Sequence, residues 1–151
     1  IFDVYSGGDK KINDDTDSNA ELVNSIENQT TNNGIKEKIY FDNKEKILEN
    51  FISVVSIGEG GKAFYQPEKG VCFTRVKGLV PKKEYKIKFN QFVFLYFCTI
   101  LDLERYRYSY GRVLSKDRLR DTIIELPAKN GEIDFEFIEK FIKNLDYSSS
   151  I

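Results

Sequence analysis

The run Phe92-Val-Phe-Leu-Tyr-Phe-Cys-Thr-Ile-Leu101 is the longest apolar segment of the chain, and it is apolar on almost every side. It is too short to span a bilayer, so the rest of the chain must enclose it. Its pattern predicts a buried helix over 90–105. The remainder has the means to build that enclosure. At 151 residues, 40% apolar and rich in Phe and Tyr, the chain predicts one folded domain that needs no metal or disulfide staple. Cys72 and Cys98 lie within apolar stretches and predict buried, reduced thiols rather than a disulfide.

The segments around the helix are short and favour strands. Ile1-Phe-Asp-Val-Tyr5 alternates, then meets Gly7-Gly8 and a polar, acidic stretch to Asn19 that predicts weak order. Residues 24–35 are rich in Asn and Thr, and Thr30-Thr-Asn-Asn-Gly34 predicts a loop in which Asn33-Gly34 can take positive φ. Strands are expected at 36–41, 51–57, 63–65, 71–76 and 122–126, with 86–88 as the end of another extended stretch. Ser115 is placed to cap a short helical turn, and Lys129-Asn-Gly131 to turn the chain. Asp134 should cap a last helix reaching about Leu145, with Phe135, Ile138, Phe141, Ile142 and Leu145 on one face.

Charge is distributed unevenly. The formal total is −1, yet residues 35–120 carry a net +8 between acidic flanks. Within them, Arg105-Tyr-Arg-Tyr-Ser-Tyr-Gly-Arg112 and its continuation to Arg120 hold six bases and one acid, interleaved with tyrosines. Arginine and tyrosine bond phosphate oxygens, and arginine forks also read guanine edges. A polyanionic partner, nucleic acid before membrane, accounts for the pattern. The alternative is a helix end and loop with snorkelling cations. A second cluster, Arg75, Lys77, Lys82, Lys83, Lys86 and Lys88, precedes the apolar helix, so basic segments flank it on both sides. Neither lies on an amphipathic helix with a lipid-facing stripe, which argues against a membrane.

Catalytic chemistry is poorly supported. The chain has no histidine, and two separated cysteines cannot form a zinc site on their own. Gly58-Glu-Gly-Gly-Lys62 has the wrong spacing for a phosphate loop, and Ala63 stands where a magnesium-binding hydroxyl belongs, so it reads as a turn. Asp102 with Glu104, or Asp134 with Glu136 and Glu139, are acids that more often form a solvated helix face or cap than a metal site. The expectation is therefore no catalytic residue and no metal ligand.

Four blocks in order carry a family likeness: Thr31-Asn-Asn-Gly-Ile35; Ile52-Ser-Val-Val-Ser-Ile-Gly-Glu-Gly-Gly-Lys-Ala-Phe-Tyr65; Tyr106-Arg-Tyr-Ser-Tyr-Gly-Arg112 with Arg118-Leu119; and Ile124-Glu-Leu-Pro127 followed by Asn130-Gly131, Asp134 and Phe137-Ile-Glu-Lys-Phe-Ile142. The chain resembles the target-recognition domain of restriction-modification specificity subunits, type I S-subunit-like, and most of all the version in fused or two-subunit methyltransferase-endonucleases. That resemblance implies an α+β fold, a curled β-rich body with helices toward the C-terminus, forming a single target-recognition domain over 1–147 with 148–151 as tail or linker. It also implies a non-catalytic reader of one half of a duplex DNA target. The N6-adenine methyltransferase and endonuclease, with S-adenosylmethionine and Mg, would belong to another domain or subunit, and a second recognition domain would complete the target. A full specificity subunit also carries long connecting helices, and a methyltransferase carries an adenine-flipping motif and a cofactor loop; this sequence shows neither.

Under this reading Arg105, Arg107, Tyr108, Tyr110, Arg112 and Arg118 position the DNA backbone, because the resemblance shares their block across different targets. In an extended segment, the tyrosines would take one face and the arginines the other. The base readers expected from side-chain chemistry are Asn32 and Asn33, whose amides suit adenine, and Lys62 and Arg75, which suit guanine. Two alternatives stay open: an RNA or single-strand binder that stacks bases on tyrosines, and a small metal-dependent nuclease. Ile1 at the start and the absence of methionine suggest an excerpt of a longer polypeptide, and the lack of a signal peptide favours the cytoplasm.

Overall fold

A computed structural model describes residues 1–8, 19–57, 60–108 and 112–146. Strand β1 (Phe2–Ser6) is followed by β2 (Glu21–Ile26) and β3 (Ile35–Phe41), then by β4 (Phe51–Val55), β5 (Ala63–Gln66), β6 (Gly70–Cys72) and β7 (Val76–Pro81). Helices α1 (Gln91–Leu103) and α2 (Lys116–Arg120), the two-residue strands β8 (Ala128–Lys129) and β9 (Glu132–Ile133), and helix α3 (Phe135–Lys143) complete the chain. The architecture is α+β, with the helices in the C-terminal half.

Two sheets form the body. The first has the order β1-β7-β4-β5 and is antiparallel throughout, and the second has the order β3-β2-β6. β4 is central to the first because every one of its residues is buried. In the second sheet, β2 pairs antiparallel with β3 but parallel with β6, so Ile26 meets Cys72. The chain leaves one sheet at the end of β6 and enters the other at β7. Ile26, Phe51, Cys72 and Val76 pack as one cluster at that junction.

Helix α1 covers the first sheet. Its Val93, Phe94, Phe97, Cys98 and Leu101 pack with Ile52, Val54, Ala63 and Leu79, and Ile138 of α3 joins the same core. Tyr65 stacks on Phe94 at 4.5 Å between ring centroids, and Phe2 meets Phe97 edge-on at 5.2 Å. Asn90 caps α1 by accepting from the Phe92 and Val93 amides. Ser115 and Asp134 cap α2 and α3 as expected, accepting from Arg118 N and Phe137 N.

Several sequence expectations need correction. Residues 122–126 are irregular, because Ile124 and Leu126 join the core without a strand to pair with. Residues 86–88 form a 3-10 turn, and the extended stretch before it is β7. The sequence predicts no strand at 21–26, yet these residues form β2, whose Asn24 and Ser25 are buried in the second sheet. On α3, Ile138 and Ile142 are buried, but Phe141 and Leu145 stay 47% exposed. The acidic stretch 9–18, Gly58 and Glu59, the segment Ser109-Tyr110-Gly111, and the expected domain boundary near 147 lie outside the described residues. Among the described residues, no helix is long and apolar enough to cross a membrane.

Candidate nucleic-acid interface

Strand register gathers several turns at one end of the two sheets. Ser6 lies opposite Lys77, Val55 opposite Val76 and Val54 opposite Ala63, so β1 ends, β7 begins, β4 ends and β5 begins together. The parallel pairing of β2 with β6 brings the start of the β2–β3 connection to the same end, where Phe73 N donates to Ile26 O at 3.0 Å, and its Asn32–Gly34 turn lies along β5 against Phe64 and Gln66. Ser56 then ties three segments: its amide donates to Arg75 O at 2.8 Å, and its carbonyl accepts from Leu114 N at 3.3 Å. Arg75 and the segment entering at Arg112 thus belong to one end of the molecule.

The arginine-tyrosine segment is not extended where it begins. Glu104–Arg107 is a 3-10 turn closed by Tyr108 N donating to Arg105 O at 2.9 Å. Side chains three apart superpose in that geometry, so the expected division into a tyrosine face and an arginine face does not form here. Arg105 and Tyr108 instead face the glycine turn before β5. A Cβ on Gly61, whose φ is +90°, would stand 2.9 Å from Arg105 Cγ and 3.4 Å from the Tyr108 ring. Tyr106 and Arg107 point outward, with Tyr106 74% exposed and its ring 5.3 Å from the Arg107 guanidinium. Tyr108 packs against the core, and its hydroxyl bonds that of Thr122. Arg107 also pairs with Glu104, and this bond raises the guanidinium pKa.

The other positioning candidates divide. Arg112 is exposed, and Arg118 donates from its guanidinium to Val113 O at 3.0 Å, bracing the loop it follows. Tyr110 lies outside the described residues. Of the second basic cluster, only Arg75 and Lys77 sit at this end. Lys82, Lys83, Lys86 and Lys88 follow β7 at the opposite end, where Lys82 N donates to Ile1 O at 2.9 Å.

Of the four candidate base readers, Lys62 is the most engaged. Its ammonium pairs with Asp102 of α1, whose other carboxylate oxygen accepts from Ala63 N at 2.8 Å. This two-point bond holds the glycine turn to the end of the helix. Asp102 and Glu104, acids the sequence left as a solvated face, are each bonded to a cation of the turn cluster. Arg75 is exposed at a φ of +74°, beside a cleft lined by Glu27, Asn28, Gln29, Lys36, Phe73 and Thr74. Asn32 and Asn33 are exposed on a left-handed turn, and Asn32 Nδ2 donates to Ile35 O at 2.8 Å. Sequence reasoning missed Gln66, buried in β5, whose amide donates to Asn33 O at 2.7 Å. A lone glutamine in a short strand carries no signal of such a reach.

Comparison with known proteins gives the context for this cluster. Residues 1–150 match the family described as the type I restriction modification DNA specificity domain. The chain is 28% identical over 147 residues to the specificity subunit S.BcgI of a type II restriction enzyme from Heyndrickxia coagulans; this covers 97% of the chain and 41% of that relative. It superposes on the crystal structure of the HsdS subunit from Thermoanaerobacter tengcongensis with a TM-score of 0.64 at 13% identity, over 99% of this chain and 35% of that one. The chain therefore spans about two fifths of the curated relative it matches. Specificity subunits of this family are generally non-catalytic. The chain belongs to the family of type I restriction-modification DNA specificity domains.

Proposed function

We propose that the chain reads one half of a duplex DNA target and directs an associated N6-adenine methyltransferase and restriction endonuclease to it. The observation that carries the reading is the gathering of Arg75, Arg105, Arg107 and Arg112, from distant parts of the sequence, at one end of the sheets of a DNA specificity domain. Arg105, Arg107, Arg112 and Arg118 supply charge to phosphates, which positions the duplex without choosing its sequence. Tyr108 fixes the height of that turn through its packing on the core. Tyr110 is assigned with them as a backbone contact.

Base choice falls to the β2–β3 turn and the β6–β7 turn beside it. Asn33 and Arg75 project from left-handed backbone, suited to adenine and guanine edges respectively. Asn32 presents its amide oxygen while its nitrogen braces the turn. Lys62, bound to Asp102, acts through the position of the glycine turn and reaches a base only by leaving that carboxylate. S-adenosylmethionine and Mg belong to the catalytic partner, and a second recognition domain reads the other half-site. The cell interior, where such DNA lies, is the assigned location.

Titrating duplex DNA by fluorescence anisotropy across a salt series tests the reading. About five or six phosphate contacts give a log–log slope of affinity against salt of about −5. A flat response removes the electrostatic basis of the proposal. Single-stranded DNA or RNA that outcompetes duplex would assign the exposed Tyr106 to base stacking instead.

A further inference from the structure

Gln66 is the one long polar side chain fully enclosed among the described residues, at 1% exposure. An enclosed amide is costly unless its hydrogen bonds are made, and it fixes geometry when they are. One of its two bonds leaves its own sheet. Nε2 donates to Asn33 O at 2.7 Å, across to the β2–β3 turn, and to Ser53 Oγ on the neighbouring strand at 2.9 Å. Ser53 is itself buried in β4. The reach therefore runs from the middle of the first sheet, through the end of β5, to the backbone of an exposed turn.

That turn needs a hold. Asn32, Asn33 and Gly34 have φ of 49°, 52° and 76°, three successive residues in the left-handed region that side chains disfavour. Its internal bonds close it: Gly34 N donates to Thr31 O at 2.9 Å, and the side chains of Gln29 and Asn32 both donate to Ile35 O at 2.8 Å. These bonds close the turn onto the start of β3 in the second sheet without tying it to the first sheet. The Gln66 bond does so, and it falls on the carbonyl of the residue whose side chain is proposed to read a base.

We infer that Gln66 is a positioning residue for sequence choice: by holding the Asn33 carbonyl, it sets the direction in which the Asn32–Gly34 turn presents its side chains to the DNA. The inference rests on the proposed reading of duplex DNA by that turn. Gln66 touches no base itself. Its loss alters discrimination between sequences and leaves phosphate contacts, made by the arginine turn, in place.

The test uses this chain with a pool of randomised duplexes, and then the enriched duplex and its scrambled counterpart as probes. Gln66→Met keeps volume and burial but removes the donor. The expected result is a fall of about tenfold in the affinity ratio of enriched over scrambled duplex, with scrambled binding changed less than about twofold. Ser53→Ala, which leaves the bond to Asn33 in place, should keep the ratio. If circular dichroism finds Gln66→Met unfolded, Gly34→Ala decides: it strains the same turn at φ +76°, while its Cβ meets Ile26 and Phe64 only at 3.6 Å, so the same loss of ratio is expected. An unchanged ratio in the folded Gln66→Met protein, or in Gly34→Ala where that variant decides, overturns the inference and leaves the DNA reading standing. An unmodified chain that enriches no sequence overturns the reading, and the inference with it.

Discussion

Arg105 and Tyr108 stand one 3-10 turn apart and rest on the same glycine, so the arginine-rich segment is seated before it meets any ligand. Asp102 completes the seat by holding both Lys62 and the Ala63 amide. The cysteines illustrate the opposite kind of residue, one whose chemistry burial suppresses. Burial pushes the Cys72 thiol from 9.0 up to about 12, and Cys98 is raised as well, by burial first and then by Asp102. A raised pKa means that the folded chain resists losing the proton while the unfolded chain gives it up. Native stability is therefore intact below pH 9.0 and declines as pH rises from there toward about 12. Urea denaturation at a series of alkaline pH values should show this decline, and a Cys72→Ala, Cys98→Ala double variant should show less of it. Thiol reagents at neutral pH should label both cysteines only after unfolding.

Under the proposed function the turns, more than the strands, separate two kinds of DNA contact. Replacing Arg105, Arg107 and Arg112 together with alanine should weaken binding to every duplex alike and flatten the salt dependence. Asn33→Ala should mainly relax preference at one position, by about 1–3 kcal/mol of discrimination. Anisotropy titrations against matched and mismatched duplexes check both, and undiminished nonspecific binding by the arginine variant would leave that turn a structural role alone. The sequence made several elements legible for physical reasons. Helix α1 announced itself by an apolar pattern that only enclosure explains, and the caps at Ser115 and Asp134 by side-chain oxygens set just before a helical stretch, which accept from Arg118 N and Phe137 N. Strand β2 was hidden because Asn24 and Ser25 are polar yet buried, and β-structure there depends on partners, β3 and β6, that local composition does not reveal. The arginine-tyrosine alternation invited an extended reading, but the end of α1 winds it into a 3-10 turn.

At the scale of the whole molecule, the family is that of DNA specificity domains, the fold is shared with the HsdS subunit, and the chain covers only part of its relatives. The purified chain is expected to transfer no methyl group from labelled S-adenosylmethionine and to make no cut in the presence of magnesium. Under the proposed function, adding a methyltransferase and endonuclease partner should supply both. Activity that follows the chain alone through purification would overturn the specificity role. The candidate site was legible as residue types and charge, whereas its assembly was not, since it depends on pairings between distant segments. Phe2 lies opposite Pro81, and β2 pairs in parallel with β6. Such pairings close long loops before any contact rewards them, which makes folding slow relative to helical proteins of this size. The proposed binding end draws on turns from Glu27 to Arg112, segments that only long-range pairings bring together. Under the proposed function DNA is a ligand of the finished fold alone: it should raise the thermal midpoint with the logarithm of its concentration above Kd, and a newly made chain would become competent to search a genome only when its last long-range pairing has closed.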